Sequence, residues 1–179
     1  GNVARYDLQK DHLNLLNALS LLRLRNVKFF CILVGFNIDQ NNINLISNIK
    51  KLKLSNHTKL LGQNKNISEV MNGIDLHVLS SAYGEGFPNV IAESMACGTP
   101  SVVTNVGDSA YVVGKTGWVV PPKDPKKLAT VIEKALYEKG TAKWNKRCNK
   151  ARLKIKENFS ISRMIGLYNE AWFKVYNKN

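Results

Sequence analysis

Short, nearly unbroken apolar runs alternate along this chain with longer segments of helical period, and the runs end at glycines or at glycine-bearing polar loops. That alternation predicts an α/β fold, a Rossmann-like doubly wound parallel sheet, because a strand covered on both faces reads as a continuous apolar run. Length agrees with a single unit. The chain has 179 residues, no Pro/Gly linker and no internal repeat, enough for one domain with a substantial core.

Residues 2–5 read as the end of a first strand. A helix follows, with Leu13, Leu16, Leu19 and Leu22 as a stripe at three-residue spacing. The run 27–35 (Val-Lys-Phe-Phe-Cys-Ile-Leu-Val-Gly) reads as a buried strand closed by Gly35. Within the Asn-rich stretch 37–55, Ile43, Ile46, Ile49 and Leu52 recur at helical spacing, so a loop and a helix are expected. Residues 58–61 make a short strand ending at Gly62, and 67–72 a short helix. Residues 74–79 are a further buried strand, and His77 within it reads as a core histidine rather than a catalyst. Residues 83–87 form a Gly-punctuated loop. Pro88 then takes the first position of a helix that stops at Gly98-Thr99-Pro100. A strand over 101–104, a Gly-rich connection and a short strand over 118–120 come next. Asp124 caps a helix with Pro125 at its first position and Leu128, Val131, Ile132, Ala135 and Leu136 on its buried face. After a basic segment at 143–156, Ser160 caps a last amphipathic helix bearing Ile161, Met164, Ile165, Tyr168, Trp172 and Val175.

The net charge of +13 is unevenly placed: residues 121–157 hold twelve Lys/Arg against four Asp/Glu, and 81–120 hold one against three. Such a basic surface suits an anionic lipid surface, or simply solubilises the chain. No aromatic-interleaved basic ribbon or zinc-finger spacing accompanies it, so no nucleic acid is expected. The three cysteines, Cys31, Cys97 and Cys148, have unrelated spacing, and no metal-ligand spacing occurs anywhere; Cys31 and Cys97 fall in apolar contexts and read as core thiols in a reducing cytoplasm. No apolar run approaches the ~18 residues of a membrane span.

The stretch 79–100 carries the chemistry. Its loop delivers Glu85 and Phe87 to a helix N-terminus, where unpaired N–H groups and the helix dipole attract an anion. The N–H groups of Asn89 and Val90 stay available there, which makes a phosphate seat. Glu93 lies further inside the helix. With helical backbone between them the two carboxylates would stand ~12 Å apart, too far for the roughly 5–5.5 Å pair of a retaining glycosidase. They better suit opposite ends of one extended ligand, one carboxylate accepting both protons of a vicinal diol such as a ribose. Arg5 and Lys10 flank a strand-to-helix loop, where an open α/β sheet places its ligand crevice.

Glu85-Gly-Phe-Pro-Asn-Val-Ile-Ala-Glu93-Ser-Met-Ala-Cys-Gly-Thr-Pro resembles the E-x7-E signature of retaining family 4 glycosyltransferases with the GT-B fold. Val3-Ala-Arg5-Tyr-Asp-Leu-Gln-Lys10-Asp-His is similar to that family's G-R-x4-K-G segment, with Ala4 and Asp11 standing where glycines are usual. The resemblance spans almost the whole chain and implies the carboxy-terminal, donor-binding half of a GT-B enzyme. By the same resemblance, Glu85 lies against the donor sugar as the catalytic carboxylate and Glu93 binds the ribose. Arg5, Lys10, Gly86, Phe87, Asn89 and Val90 hold sugar and diphosphate, and Leu61, Gly62 and Gln63 bracket the base. The implied ligand is a UDP-sugar such as a UDP-N-acetylhexosamine, with no metal and no other cofactor. The implied acceptor is an undecaprenyl-diphosphate-linked sugar held by a missing amino-terminal domain, toward which the helix at about 160–176 packs back. The product is an O-antigen or capsule repeat, made in the cytoplasm, peripherally on the inner face of the membrane. Two rival readings share the nucleotide site: a GT-B sugar-nucleotide epimerase, and a non-catalytic nucleotide- or lipid-surface-binding module.

Overall fold

In the computed structural model, which describes residues 1–177, six parallel strands alternate with helices as expected up to the last strand, after which three helices follow one another. The helices over 109–113 and 142–158 fall where a Gly-rich connection and a basic segment were expected. Strand β1 (Asn2–Val3) pairs with β2 (Cys31–Val34), and β2 with β3 (Thr58–Leu60). A second parallel set joins β4 (His77–Leu79), β5 (Ser101–Thr104) and β6 (Trp118–Val120). A seam ties the two sets together: Val78 N donates to Gly1 O at 2.8 Å, the Gly1 nitrogen to Leu76 O at 2.7 Å and Asn2 Nδ2 to Val78 O at 2.8 Å. The strand order is therefore 3-2-1-4-5-6, and it reverses between β1 and β4. That reversal opens a crevice at the carboxyl ends of the strands.

Helices α1 (His12–Leu24), α2 (Ile43–Lys51) and α6 (Pro125–Glu138) share one apolar cluster, centred on Leu15, Leu19, Leu22, Leu33, Leu45 and Leu128. Helices α4 (Asn89–Ala96), α5 (Ser109–Val113) and α7 (Ala142–Asn158) close a second cluster around Leu79, Ile91, Met95, Val103 and Val112. The short α3 (Ile67–Gly73) lies beside α4, and α8 (Ile161–Tyr176) follows α7. Side-chain oxygens start two helices where the sequence places caps: Asp124 accepts from Lys127 N at 2.8 Å and Ser160 from Arg163 N at 3.3 Å; Thr141, not singled out in the sequence, caps α7 by accepting from Trp144 N at 3.2 Å.

Several expectations shift. The buried strand in the 27–35 run is only Cys31–Val34, because Phe29 turns aside to stack on His57 at 5.1 Å and Phe30 faces solvent. Leu13 is half exposed while Leu15 joins the core. On α2 the buried pair is Leu45 and Ile49, with Ile43 exposed. The rest of each stripe holds, with Leu16, Leu19, Leu22 and Ile49 buried, so that only its first position in each helix faces solvent. Pro88 is the N-cap of α4, with extended backbone, and Asn89 is its first residue. The basic residues of 121–157 do not form one face, since α6 packs on α1 and α7 on α4. Helix α8 buries none of its side chains among the described residues.

Two histidines are core groups. Burial lowers the pKa of His12 to about 4 and that of His77 to about 3; the Lys10 charge adds to the effect on His12. Both titrate near 6.5 when unfolded, so the folded chain binds fewer protons below that pH. Their contribution is complete above about pH 6.5 and is lost as pH falls toward 4 and 3. Urea unfolding should show stability dropping by roughly 2–3 kcal/mol per pH unit around pH 5. A shallower slope is expected in His77→Asn; an identical slope in that variant would remove His77 from the account.

Candidate functional site

The crevice at the strand reversal is walled by the β1–α1 loop on one side and the β4–α4 loop on the other. Hydrogen bonds bind the two loops together. Ala82 N donates to Gln9 O at 2.8 Å, Gln9 Nε2 to Gly84 O at 2.7 Å, and Ser80 Oγ to Lys10 O at 3.0 Å. Strand β5 adds a third support through Thr104 Oγ1, which donates to Ser81 O at 2.7 Å.

At the centre, Lys10 Nζ meets Glu85 Oε1 at 2.5 Å, with the two side chains 14% and 6% exposed. Ser81 Oγ donates to the same oxygen at 2.5 Å. Arg5 stays outside this knot: its guanidinium donates to Gln9 Oε1 at 3.1 Å and approaches Asp7 Oδ2 at 3.6 Å, and it remains free to turn toward a ligand. The Gln9 amide, donating to Asp7, holds that carboxyl below its ordinary range. Asp11 takes the left-handed conformation (φ 46°) that a glycine would adopt easily, and its carboxylate turns back to cap α1 through Asn14 N at 3.1 Å. The negative charge that departs from the expected glycine is thus spent on the helix start.

Helix α4 begins at the mouth of the crevice. With Pro88 as N-cap, Ile91 N bonds back to Pro88 O at 3.0 Å, and the N–H groups of Asn89 and Val90 have no protein partner among the described residues. Phe87 is partly exposed and packs at 5.3 Å on Phe159, beside an apolar groove of about 660 Å³ between Tyr111 and α8. Gly86 O accepts from Asp108 N at 3.1 Å. Gly107, at φ 52°, lies against the Glu85 carbonyl so closely that any Cβ would overlap it. Gly107 is therefore required for the β5–α5 turn to brace the Glu85 loop. Glu93 is exposed, one turn into α4, and a helical side chain leans toward its own N-terminus, here toward Asn89.

The Leu61–Gln63 stretch follows β3 on the same edge of the sheet. Gly62 is already engaged on both sides: its N–H donates to Ile38 O at 2.9 Å and its carbonyl accepts from Gly35 N at 2.8 Å. Leu61 N donates to Leu33 O at 3.0 Å, which leaves Leu61 O and the Gln63 backbone unpaired among the described residues.

The structure thus brings Arg5, Lys10, Glu85 and the α4 N-terminus into one crevice, with Glu93 on its flank and Leu61–Gln63 along the same edge. Among the described residues no group of three or more His, Cys, Asp or Glu side chains gathers as for a metal ion. The sequence reading had passed over Ser80, Ser81, Gln9 and Thr104. The available signal was the pair of serines directly after an apolar strand, where buried hydroxyls need partners. Together these groups can hold an extended anion at the helix N-terminus, with an acceptor-only carboxylate at one end and another one turn along the helix.

The family glycosyl transferases group 1 matches residues 1–156. N-acetyl-alpha-D-glucosaminyl L-malate synthase of Bacillus anthracis is 27% identical over 129 residues, covering 71% of this chain and 33% of that protein. A glycosyltransferase from Rickettsia africae superposes with a TM-score of 0.88 at 26% identity, covering 99% of this chain and 48% of its own. HepE of Anabaena, solved in complex with UDP, superposes with a TM-score of 0.85 at 26% identity, covering 97% of this chain and 48% of its own. HepE has also been solved in complex with UDP-glucose. The chain spans about half the length of these solved structures and a third or less of the curated relatives.

Removing Lys10 leaves Glu85 as a charge without its counter-ion in a region that water barely reaches. Lys10→Met should cost ~3 kcal/mol of stability, the lower end of the range for breaking a buried pair. The double variant Lys10→Met/Glu85→Gln should recover most of that loss in urea unfolding. Equal losses in the single and double variants would mean that the pair contributes nothing as a pair.

Proposed function

We propose, because the chain belongs to the glycosyl transferases group 1 family, that it is the donor-binding half of a retaining family 4 glycosyltransferase and binds a UDP-sugar. One observation carries the reading. A nearly buried carboxylate, Glu85, stands three residues before the N-cap of a helix whose first N–H groups are unpaired among the described residues, with a lysine on one of its oxygens. The complexes of HepE with UDP and UDP-glucose support the choice of nucleotide.

In this reading the diphosphate rests on the N–H groups of Asn89 and Val90, beside Gly86 and Phe87. Lys10 keeps one of its three donors on Glu85 and offers the others to the phosphates, while Arg5 swings in from Gln9. Glu93 accepts the ribose hydroxyls. The base contacts fall to Leu61 O and Gln63, since both polar groups of Gly62 are already used. The bond between the anomeric carbon and the β-phosphate oxygen breaks, and its electron pair leaves with UDP. The acceptor hydroxyl attacks on the same face and its proton passes to the departing phosphate. Glu85 favours the positive charge that develops on the sugar between these events.

The acceptor is an undecaprenyl-diphosphate-linked sugar of a surface polysaccharide, an O-antigen or capsule repeat. It is held by an amino-terminal half that α8 packs against, at the inner face of the cytoplasmic membrane. The apolar side chains that α8 leaves exposed, Trp172, Phe173 and Tyr176 among them, support that packing.

Calorimetry with UDP and UDP-glucose tests the site. Both should bind, and more weakly as salt rises, because exposed charges are screened beyond ~10 Å at 0.1 M. A hydrogen bond to a charged group contributes roughly 1.5–3 kcal/mol, so Glu93→Ala should weaken both ligands about ten- to a hundredfold. Unchanged UDP affinity in folded Glu93→Ala would take Glu93 off the ribose.

A further inference from the structure

Glu85 sits on an exposed loop: Tyr83 and Gly84 before it and Gly86 and Phe87 after it all face solvent. An exposed loop alone does not hold a side chain in one rotamer. The fixed point is the end of β4. Ser81 is fully buried; its carbonyl is held by Thr104 Oγ1 at 2.7 Å, and the next residue is tied through Ala82 N to Gln9 O at 2.8 Å. From that anchored backbone Ser81 Oγ reaches Glu85 Oε1 at 2.5 Å, and Lys10 Nζ takes the same oxygen at 2.5 Å. Two donors fill the lone pairs of Oε1. Glu85 Oε2 accepts nothing from any described residue and retains access to solvent.

We propose that Ser81 is a positioning residue that locks the Glu85 carboxylate so that its free oxygen, Oε2, is presented to a hydroxyl of the donor sugar. The lock rests on the donor reading given above. It divides the carboxylate into an oxygen that belongs to the protein and an oxygen that belongs to the ligand. Lys10 alone does not achieve this, since an ammonium on a four-carbon stem follows the carboxylate through several rotamers. The hydroxyl of a buried serine on a strand end has no such freedom.

The experiment is a double-mutant cycle read as the ratio of UDP-glucose to UDP affinity, measured by calorimetry on the chain. Ser81→Ala should weaken UDP-glucose about tenfold and leave UDP within about twofold. Its melting temperature should stay within a few degrees of the parent. Ser81→Thr keeps the hydroxyl and should keep the ratio. In a Glu85→Gln background the Ser81→Ala change should cost less than twofold, because a residue that acts only through Glu85 loses its effect when Glu85 is altered. An equal cost in both backgrounds, an equal loss of UDP and UDP-glucose, or a collapse in melting temperature would make Ser81 a residue of the fold and overturn the proposal while leaving the donor site standing. If the parent binds neither ligand, or Glu85→Gln leaves the ratio unchanged, the donor reading itself fails and the positioning role falls with it.

Discussion

The contact between Lys10 and Glu85 is the constraint on which the site depends. The two residues are brought together because the strand order reverses between β1 and β4, so that the loops leaving those strands diverge and face each other. Placing both charges where water barely reaches them carries a desolvation cost that their attraction only partly offsets. A chain selected for stability alone gains little from such a pair. It becomes useful when one member has a second partner to meet, and the α4 N-terminus lies directly ahead of both. Lys10 has donors to spare, and Glu85 has an oxygen to spare.

Everything that fixes this pair comes from rigid elements rather than from the loops themselves. Thr104 reaches across from β5, Ser80 and Ser81 project from the end of β4, and Gly107 brings the β5–α5 turn against the Glu85 carbonyl. The apolar cluster around Leu79, Ile91 and Met95 then holds β4 and α4 together from below. A displacement in that cluster would therefore be felt at the carboxylate, which explains why a crevice lined by exposed backbone can still present one side chain in one geometry.

The sheet class, the six strands and most helix starts were legible because each follows from local pattern: apolar continuity, a capping Asp or Ser, a proline near a helix start. Glu85 and Glu93 stand out in the sequence because glycine and proline punctuate the stretch that carries them, whereas the loop of Arg5 and Lys10 has neither and was singled out by its place after a strand and by its resemblance to the G-R-x4-K-G segment. What escaped was set by neighbours remote in sequence. Leu13 and Ile43 fit their stripes by spacing yet face solvent, since the buried side of a helix is decided by what packs on it. Pro88 fits the first helical position as well as the cap, and only the backbone distinguishes the two. The partnership of Ser80 with Lys10 spans seventy residues, and no periodicity encodes it. Gly62 shows the same limit from another side. Its place after the third strand was foreseen, but not that Gly35 and Ile38 would consume both of its polar groups.

The distribution of charge follows the same logic of layers. The twelve basic residues of 121–157 read as one block along the chain, but the doubly wound fold sends α6 to the α1 side and α7 to the α4 side. Within the α7 group, charges are drawn inward to structural partners. Arg147 stacks at 4.0 Å over Trp118 and pairs with Glu138 at 2.7 Å, and Lys154 donates to Tyr111 O at 2.6 Å. Arg147, as first partner, holds the Glu138 carboxyl below its ordinary range. A lysine-rich segment thus divides into cations that pin α7 to the domain and cations left in solvent on two separate faces. Any attraction of this domain to an anionic surface is spread over those faces, whereas the densest set of exposed apolar side chains lies on α8, next to the groove that opens beside Phe87. The feature of this domain best suited to orient it against a partner is therefore apolar and adjacent to the crevice at the strand reversal.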